Sequence, residues 1–480
     1  MKPIKTTMVL LSMVILSLTG FSFIDKTVSD DVISLGDKRE IFVDSYLIDK
    51  LEGARIIMHH PHDEGIVMYF DNPWEGRFCA YCTVINDGDL YRLYYRGWEQ
   101  IKGSQVTCYA ESKDGIKWSR PQLGICEING SKANNVILTS EPETHNFSPF
   151  LDKNPHASPD QKYKALGGSG KNGLVPFVSA DGIHWKKLRD NGVITKGAFD
   201  SQNVSFWSES EGQYICYFRI FTEKKVRGIS RAVSEDFINW SEPVEMTYGD
   251  TPPEHLYTQQ TSPYFRAPHI YLAIGARFFP DRKVLTDEQL AGLKVDPSQY
   301  KGLSEPFLMS TRGGNVYDRT FMEAFIRPGI GPNNWSARTN YPVLNVVQTG
   351  SDEMSVYLNQ DYAQPTSHLH RYSLRLDGFT SINAPYSGGT VITKPFIFKG
   401  RELELNYSTS AAGEIRIEIQ DADGKPLQGY SMEDSGSIIG NEIAGIASWS
   451  GNKNISLLSS KPVRLKIFMK DADLYSLRFK

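Results

Sequence analysis

The sequence predicts an all-β protein in which a five-bladed β-propeller over residues 30–386 precedes a C-terminal antiparallel β-sandwich over residues 387–480. Three observations lead to this prediction. A short SxDGxxW pattern recurs along the chain, strand-like runs precede each copy, and the residue pattern changes after Gly388. Almost no helical periodicity lies between the copies, as is typical of antiparallel architectures built from repeated hairpins.

The SxDGxxW pattern marks the repeating unit. Its first copy carries Ser112, Asp114, Gly115 and Trp118, and the third copy has Phe237 in place of the glycine. Chemistry would not require the same residues in every unit, so we interpret the pattern as structural. The Asp and Gly are expected to form a turn and the Trp to pack between neighbouring units. The copies recur at intervals of roughly 55 to 77 residues, with the last two weak, and lie at 111–121, 178–188, 233–243, 309–319 and 374–384.

Each copy completes a unit of three or four predicted strands. In the first and third units an apolar strand, a turn, a tyrosine-rich strand ending in arginine and the motif strand follow in order. The turns NDGD and SESEG have the chemistry of hairpins. The fourth unit contains a polar insertion, PDRKVLTDEQLAGLKVDPSQY, which predicts a short helix. Five such units predict a radial arrangement with few exposed edges, which the segment 38–48 is expected to close by pairing with the last blade.

Strict alternation of polar and apolar residues distinguishes the C-terminal part of the chain. In RELELNYS the residues Leu403, Leu405 and Tyr407 alternate with polar side chains, and a DADG turn follows. This pattern predicts a separate β-sandwich of about 90 residues. No group in it suggests catalysis, so we expect it to pack against the propeller or to contact carbohydrate.

Composition and the N-terminal residues limit the partners. The formal charge of −4 argues against nucleic acid or an anionic membrane surface as the main partner. Residues 1–23 combine two early lysines with an apolar run that is short for a membrane span, which predicts a signal peptide. We therefore expect a secreted or periplasmic protein that is not inserted in a membrane after the signal peptide is removed.

The cysteines do not predict a metal site or a cofactor. The closest pair, Cys79 and Cys82, lies in a strand-like run where residues three apart point to opposite faces, and no second pair exists. Packed free thiols are the expected state of these residues.

Polar residues at the starts of the innermost strands are the candidate site, because these positions converge on the axis of a propeller. The predicted starts are DNPWEGR, THNFSPF, GAFDSQN, TPPEHLYTQQ and TGSDEMS, and tyrosine-rich second strands end in arginine at matching places. Carboxylates, arginines and aromatic rings suit a polyhydroxylated ligand, since rings stack on sugar faces and polar groups take the hydroxyls. The predicted substrate-binding residues are Glu75, Arg96, His145, Asn146, Gln202, Asn203, Arg219, Tyr257 and Arg277.

With these residues in view, the chain resembles five-bladed propeller glycosidases such as glycoside hydrolase families 43, 32, 68 and 130. The resemblance rests on the five-unit plan, on DNPWEG before the first blade, on LYRLYYRG as its second strand and on acidic residues at blade starts. It implies an exported glycoside hydrolase acting on an oligo- or polysaccharide. In family 43 it implies acidic residues on the first three blades, whereas the second blade here begins with His145 and Asn146 and the third carries Asp200.

Glycosidic hydrolysis requires one carboxylic acid to protonate the leaving oxygen and a second carboxylate to activate water or attack the anomeric carbon. We predict Glu254, in a stiff Pro-Pro-Glu segment, as the acid and Asp200 as the base or nucleophile. Glu353 is the third predicted catalytic residue, and Glu75 is a reserve. The arginines would hold hydroxyls or a substrate carboxylate.

Three other functions fit the same residues. A phosphorylase on this fold would need a basic phosphate pocket, which the arginines allow. A carbohydrate-binding propeller would bind glycans without cleaving them. A sialidase-like enzyme is suggested by the superficial similarity of SxDGxxW to the Asp box, although sialidases have six blades and the glycine position differs.

Overall fold

The computed structural model describes residues 32–98 and 104–480, so the predicted signal peptide lies outside the described residues. The predicted all-β class and the five-bladed propeller are confirmed. The insertion in the fourth blade contains the predicted short helix, Asp287–Gly292, which begins with a capping box at Thr286. In the described part of the chain, no helix has the length and apolar character needed to cross a membrane.

Each blade is an antiparallel sheet of three to five strands. The strand bounds are Ala80–Asn86, Tyr91–Gly97, Val106–Ser112 and Val136–Leu138 in blade 1; Ser148–Leu151, Tyr163–Gly167, Val175–Ser179 and Lys186–Lys187 in blade 2; Val204–Ser208, Gln213–Phe221, Arg227–Ser234 and Val244–Glu245 in blade 3; Thr261–Tyr264, Ala267–Phe279 and Leu303–Thr311 in blade 4; and Tyr341–Pro342, Val347–Gln348, Glu353–Gln360, His368–Arg375 and His62–Tyr69 in blade 5.

The strand that closes the ring is not the predicted one. His62–Tyr69 pairs antiparallel with His368–Arg375 and completes blade 5, whereas Arg39–Ile41, within the predicted segment 38–48, pairs with Val463–Phe479 in another sheet. The sequence does not decide which sheet the segment 38–48 joins, because its apolar side chains face two cores. Ile41 and Val43 pack with residues of blades 4 and 5, while Phe42 and Leu47 pack with the C-terminal strands.

Both ends of the chain contribute to one ten-stranded sheet beside the propeller. Its strands share one core of buried apolar side chains. These strands form one continuous sheet. The predicted domain limits, 30–386 and 387–480, remain predictions. The strand bounds are Ile33–Gly36, Arg39–Ile41, Ile48–Glu52, Arg55–Met58, Thr380–Ala384, Gly389–Thr393, Phe396–Phe398, Leu403–Asp421, Asn441–Ile446 and Val463–Phe479.

The SxDGxxW pattern forms the predicted turn in all three strong copies. Its Ser hydroxyl accepts two backbone N–H groups, at 3.3 and 2.9 Å, and its Asp carboxylate accepts the next two at 2.7–2.9 Å. Gly115, Gly182 and Phe237 occupy the same left-handed position, with φ of 73°, 76° and 68°. The turn therefore tolerates a non-glycine residue in the third copy, where the Phe237 ring packs against Phe150.

The motif tryptophans link neighbouring blades in the first two copies. The Trp118 ring is 6.1 Å from that of Tyr357 in blade 5, and the Trp185 ring is 6.3 Å from that of Tyr94 in blade 1. The Tyr94 hydroxyl also donates to the carbonyl of Gly182 at 2.9 Å. The structural interpretation of the pattern is confirmed here.

A buried ion pair in blade 1 also accepts a hydrogen bond from blade 2, and it gives a pH-dependent prediction. Asp87 accepts hydrogen bonds of 2.6 Å from both Arg92 and the hydroxyl of Tyr163, and its side chain is 3% exposed. Burial opposes ionisation, but these hydrogen bonds outweigh it and lower the pKa of Asp87 to about 2.

We expect Asp87→Asn to reduce the free energy of unfolding by about 2 kcal/mol at pH 7. The native pKa lies below the unfolded value of about 3.9, so the contribution is complete above that value and is lost as pH falls towards about 2. Urea unfolding at pH 7, 5 and 3.5 should therefore show a difference between the two proteins that narrows only at the last pH. An equal difference at all three values would contradict this origin.

Candidate active site

The innermost strands of the blades begin at one end of the central channel, which we call the channel mouth. Residues before or at these strand starts contact one another across blades. His145 of blade 2 bonds Asp200 before blade 3, Tyr81 of blade 1 meets His145 edge-on at 5.6 Å, and Tyr257 before blade 4 stacks on Tyr341 of blade 5 at 5.4 Å. The mouth thus combines residues from all five blades.

Asp200 is the exposed carboxylate of this region, with 68% of its side chain accessible to solvent. Its Oδ1 lies 2.8 Å from Nε2 of His145, and its Oδ2 lies 3.7 Å from a guanidinium nitrogen of Arg219. The other ring nitrogen of His145 lies 3.4 Å from Arg96 and 2.8 Å from the side-chain oxygen of Gln105. Four predicted site residues therefore lie together.

The charges around Asp200 keep it ionised. The hydrogen bond with His145 holds the pKa of Asp200 far below its usual range, and Arg219 and Arg96 add to this effect. Burial lowers the pKa of His145, and the two arginines lower it further against the pull of Asp200. At neutral pH the site therefore presents a carboxylate beside an uncharged imidazole.

Beneath Asp200 lies a set of four tyrosines and four arginines, which we call the tyrosine–arginine cluster. The guanidinium carbons of three arginines lie 5.3–5.7 Å from the centre of the Tyr257 ring, and the fourth lies 4.8 Å from the Tyr81 ring. Rings and guanidinium groups at such distances attract each other through cation–π interactions. The cluster consists of Tyr81, Tyr257, Tyr341, Tyr362, Arg96, Arg219, Arg227 and Arg338.

Several phenols of the cluster stay protonated at neutral pH. Burial raises the pKa of Tyr81, Tyr341 and Tyr362, despite the nearby guanidinium groups. The buried hydroxyl of Tyr341 has no hydrogen-bond partner in the described part of the chain. The cluster therefore holds phenol donors that a ligand could use.

Two cluster residues adopt the left-handed backbone conformation, which is rare for bulky side chains. Tyr81 has φ of 54° and lies where the register of the first blade shifts between Ala80 and Thr83. Arg338 has φ of 59° just before the inner strand of blade 5. Local strain of this kind concentrates at functional sites, where the surrounding structure enforces it.

A buried polar group fills the channel axis below the mouth. The side-chain amide of Gln202 donates to the hydroxyl groups of Thr83 at 2.9 Å and Ser148 at 3.1 Å, and its oxygen accepts from Gln260. Gln202 was predicted to bind substrate, but its side chain joins blades 1, 2 and 4 in the axis. Two other predicted binding residues, Asn146 and Asn203, are also fully buried and donate to the carbonyls of Phe199 and Ser201.

The predicted acid, Glu254, belongs to a separate ion-pair network. Its oxygens lie 2.9 Å from Arg277 and 3.1 Å from Arg319, and Arg277 is also paired with Glu305. Glu254 also lines a cavity of about 220 Å³ between blades 3 and 4. The structure thus places neither Glu254 nor Arg277 in contact with Asp200.

Glu353 does not begin an inner strand. The inner segment of blade 5 is formed by Tyr341–Pro342 and Val347–Gln348, and Glu353 begins the second strand, which runs the opposite way. Its carboxylate bonds Thr349 and Arg371. Glu353 consequently lies at the end of blade 5 opposite the channel mouth.

Glu75 is also remote from Asp200. It is fully buried and accepts hydrogen bonds from Tyr95 at 2.6 Å and Arg120 at 2.7 Å. Its backbone carbonyl accepts from Trp98 at 2.6 Å. These contacts give Glu75 a structural place in blade 1.

A second cavity of about 520 Å³ lies where the inner strands end, opposite the mouth. Its walls are mainly apolar and aromatic, including Phe150, Phe206, Trp207 and Phe265. None of the predicted site residues lines this cavity. Gln348 on its wall precedes Thr349, whose hydroxyl donates to Glu353.

Sequence reasoning missed Tyr81, Tyr341, Tyr362, Arg227 and Arg338. A signal existed for two of them: Arg338 and Tyr341 in ARTNYPVLNVV precede an apolar run, as expected of an inner strand. The sequence pattern nevertheless favours TGSDEMS as the start of blade 5, whereas the inner strand begins upstream at Tyr341. The bulge at Tyr81 leaves no pattern in the sequence.

Only the comparison of structures finds known proteins that are similar to this chain. Neither a scan of protein-family models nor a search of curated proteins gives a match. Similar solved structures include a Bombyx mori GH32 beta-fructofuranosidase, 11% identical over 86% of this chain and 94% of that chain, with a TM-score of 0.42. An N-acetylgalactosamine deacetylase from F. plautii in complex with blood group B trisaccharide is 12% identical, over 68% of this chain and 97% of that one, with a TM-score of 0.45.

A glycosyl hydrolase from Bacteroides ovatus is 12% identical over 71% of this chain and 93% of that chain, with a TM-score of 0.37. Identities of 11–12% and TM-scores below 0.5 say nothing about activity, which has to be inferred from the residues at the mouth. Glycoside hydrolases are among the solved structures to which this chain is similar.

Proposed function

We propose that the protein is a glycoside hydrolase whose reaction takes place at the channel mouth, with Asp200 as the catalytic base or nucleophile. The observation that carries this proposal is the exposed, ionised Asp200 held by His145 and Arg219 above a floor of aromatic rings. In hydrolysis the carboxylate would take a proton from water while the water oxygen bonds the anomeric carbon. The bond to the leaving sugar oxygen breaks, that oxygen takes a proton from solvent, and the protonated Asp200 returns its proton to solvent.

The surrounding residues support sugar as the ligand. The phenols and guanidinium groups of the tyrosine–arginine cluster offer donors for sugar hydroxyls. Asp200 keeps most of its surface accessible, so a bound sugar could reach it directly. Glu254 is paired with arginines of blade 4 and Glu353 with an arginine of blade 5, and neither is assigned a role in this step.

A second function, glycan binding without cleavage, is favoured by the separation of the predicted carboxylates. Asp200, Glu254, Glu353 and Glu75 have no shared contact among the described residues. A two-carboxylate mechanism normally needs a pair of carboxyl groups about 5 to 9.5 Å apart. A propeller that holds sugars at the same mouth would not need this pair.

The proposal is tested by incubating the purified protein with a panel of neutral and acidic oligosaccharides and analysing the products by mass spectrometry. Products that have gained one water per cleaved bond are the expected result. Sugar phosphates formed only when inorganic phosphate is present would identify a phosphorylase. Binding in calorimetry with no product from any panel member would replace hydrolysis by glycan binding.

A further inference from the structure

The tyrosine–arginine cluster carries more positive charge than its surroundings neutralise. Asp200, at 3.7 Å from Arg219, is the one carboxylate ion-paired with these four guanidinium groups in the described parts of the chain. Arg96 donates instead to the carbonyl of Phe78 and to the hydroxyl of Tyr362. With His145 uncharged, four positive groups therefore face one negative group.

Arg227 and Arg338 show this imbalance most clearly. Arg227 is 3.3 Å from a ring nitrogen of His255, and Arg338 donates to the side-chain oxygen of Gln299 at 2.6 Å. Both of these partners are uncharged groups. Burial lowers the pKa of Arg227, and the neighbouring Arg219 and Arg338 lower it further. Like charges are thus held close together in a region of reduced solvent access.

Three guanidinium groups of the cluster also have an unused donor. The Nε atoms of Arg219, Arg227 and Arg338 are buried and make no hydrogen bond among the described residues. The Arg219 side chain is only 6% exposed. Buried donors without partners are unfavourable, and so are buried charges without a counter-ion, unless a bound group satisfies them.

We propose that the cluster binds an oxyanion carried by the substrate, so that the protein acts on an acidic glycan bearing carboxylate or sulfate groups. This inference rests on the proposed function and names its substrate class. Guanidinium groups match planar carboxylates and sulfate oxygens because each presents several N–H donors in a fixed plane. The Tyr341 hydroxyl, which has no hydrogen-bond partner among the described residues, would donate to the same anion.

The geometry places the oxyanion close to Asp200. Arg219 connects the two, since it is 3.7 Å from Asp200 and 5.3 Å from the centre of the Tyr257 ring. Arg227 and Arg338 approach the same ring at 5.3 and 5.7 Å. An anion beside Tyr257 would therefore offset the charges of three arginines and hold its sugar next to the carboxylate.

Inorganic phosphate is the other source of the same chemistry, and the experiment distinguishes it. Binding is measured by calorimetry at constant ionic strength with oligogalacturonate, its methyl ester, a sulfated oligosaccharide, a neutral oligosaccharide and inorganic phosphate. Arg227→Gln and Arg338→Gln are compared with the wild-type protein. Arg189→Gln is the matched control, because Arg189 is an exposed arginine of blade 2.

We expect at least one acidic oligosaccharide to bind about tenfold or more tightly than its uncharged counterpart, and each cluster variant to lose about tenfold of this affinity. The control should bind as the wild-type protein does. Thermal unfolding separates ligand binding from a structural role. Removing an unpaired charge should leave the melting temperature of the free protein unchanged or raise it, whereas a structural role would lower it.

Equal binding of charged and uncharged members, unaffected by either variant, would overturn the inference. Binding of phosphate alone would assign the cluster to free phosphate and overturn the acidic glycan. Cleavage data keep the two proposals apart. If neutral glycans are hydrolysed and the cluster variants hydrolyse them normally, hydrolysis stands without the acidic substrate. If an acidic glycan binds but is not cleaved, the inference stands without hydrolysis.

Discussion

Replacing Asp200 by Asn is expected to reduce glycoside cleavage by about 10²- to 10⁴-fold, the range for loss of a general base or acid. The amide has nearly the same shape but cannot accept a proton from water or attack the anomeric carbon. The protein should still fold because 68% of the Asp200 side chain is exposed, although Arg219 would lose its one ion-pair partner among the described residues. We therefore expect kcat to decrease, whereas the affinity for the glycan should change far less.

Initial rates on a cleaved oligosaccharide, with calorimetry of the same ligand, measure both quantities. Asp190→Asn is the matched control, since Asp190 is an exposed aspartate of blade 2, and it should keep wild-type rates. Unchanged kcat in the Asp200 variant would exclude Asp200 from the chemistry. The low pKa of Asp200 adds a further expectation: the acid limb of the wild-type rate should not fall near pH 4, where an ordinary carboxyl titrates.

The blade plan was predictable because it repeats. Each strong SxDGxxW copy encodes its own turn, with a Ser and an Asp that accept four backbone N–H groups, so local sequence is enough to place it. The fourth and fifth copies lack parts of this turn, and the predicted start of the inner strand is wrong in blade 5. The sequence predicts that the inner strand of blade 5 begins near Asp352. In the structure it begins with Tyr341–Pro342.

The ring closure was not predictable for a different reason. His62–Tyr69 and the segment 38–48 both read as strands, and the choice between them depends on partners more than 300 residues away. A strand whose alternate residues face two cores, as Ile41 and Phe42 do, satisfies the pattern of either sheet. Local alternation therefore indicates a strand but not its neighbour.

The candidate site was predicted in part. Asp200, His145, Arg96, Arg219 and Tyr257 were named and lie together at the mouth. Carboxylates alone do not identify a catalytic site, because a buried acid can belong to a structural ion pair as readily as it can take part in catalysis. Glu75 with Arg120 and Glu254 with Arg277 show this use. Sequence gives the residue type at a strand start, whereas burial and pairing decide its role.

Asp377 illustrates the same point, and it links the propeller to the ten-stranded sheet. It follows the last strand of blade 5 in the weak motif copy LRLDG, and its side chain is fully buried. Tyr264 and Arg266 of blade 4 reach its Oδ1 at 2.8 and 3.1 Å. On the other side Ser476 donates to its Oδ2 at 2.6 Å, and Arg39 lies at 3.4 Å.

Asp377→Asn is expected to lower the free energy of unfolding by about 3 to 5 kcal/mol, the range for removing one partner of a buried ion pair. Asparagine keeps the shape and tolerates the left-handed backbone, with φ of 63° at this position, so the loss would come from charge. Arg266 would lose its ion pair, whereas Arg39 would keep Glu404 at 2.6 Å. Denaturant unfolding measures the loss, with Asp423→Asn in an exposed turn as a control expected to stay within about 0.5 kcal/mol. Because the network joins two cores, a variant as stable as the wild-type protein would mean that the charge of Asp377 does not help to hold the sheet and the propeller together.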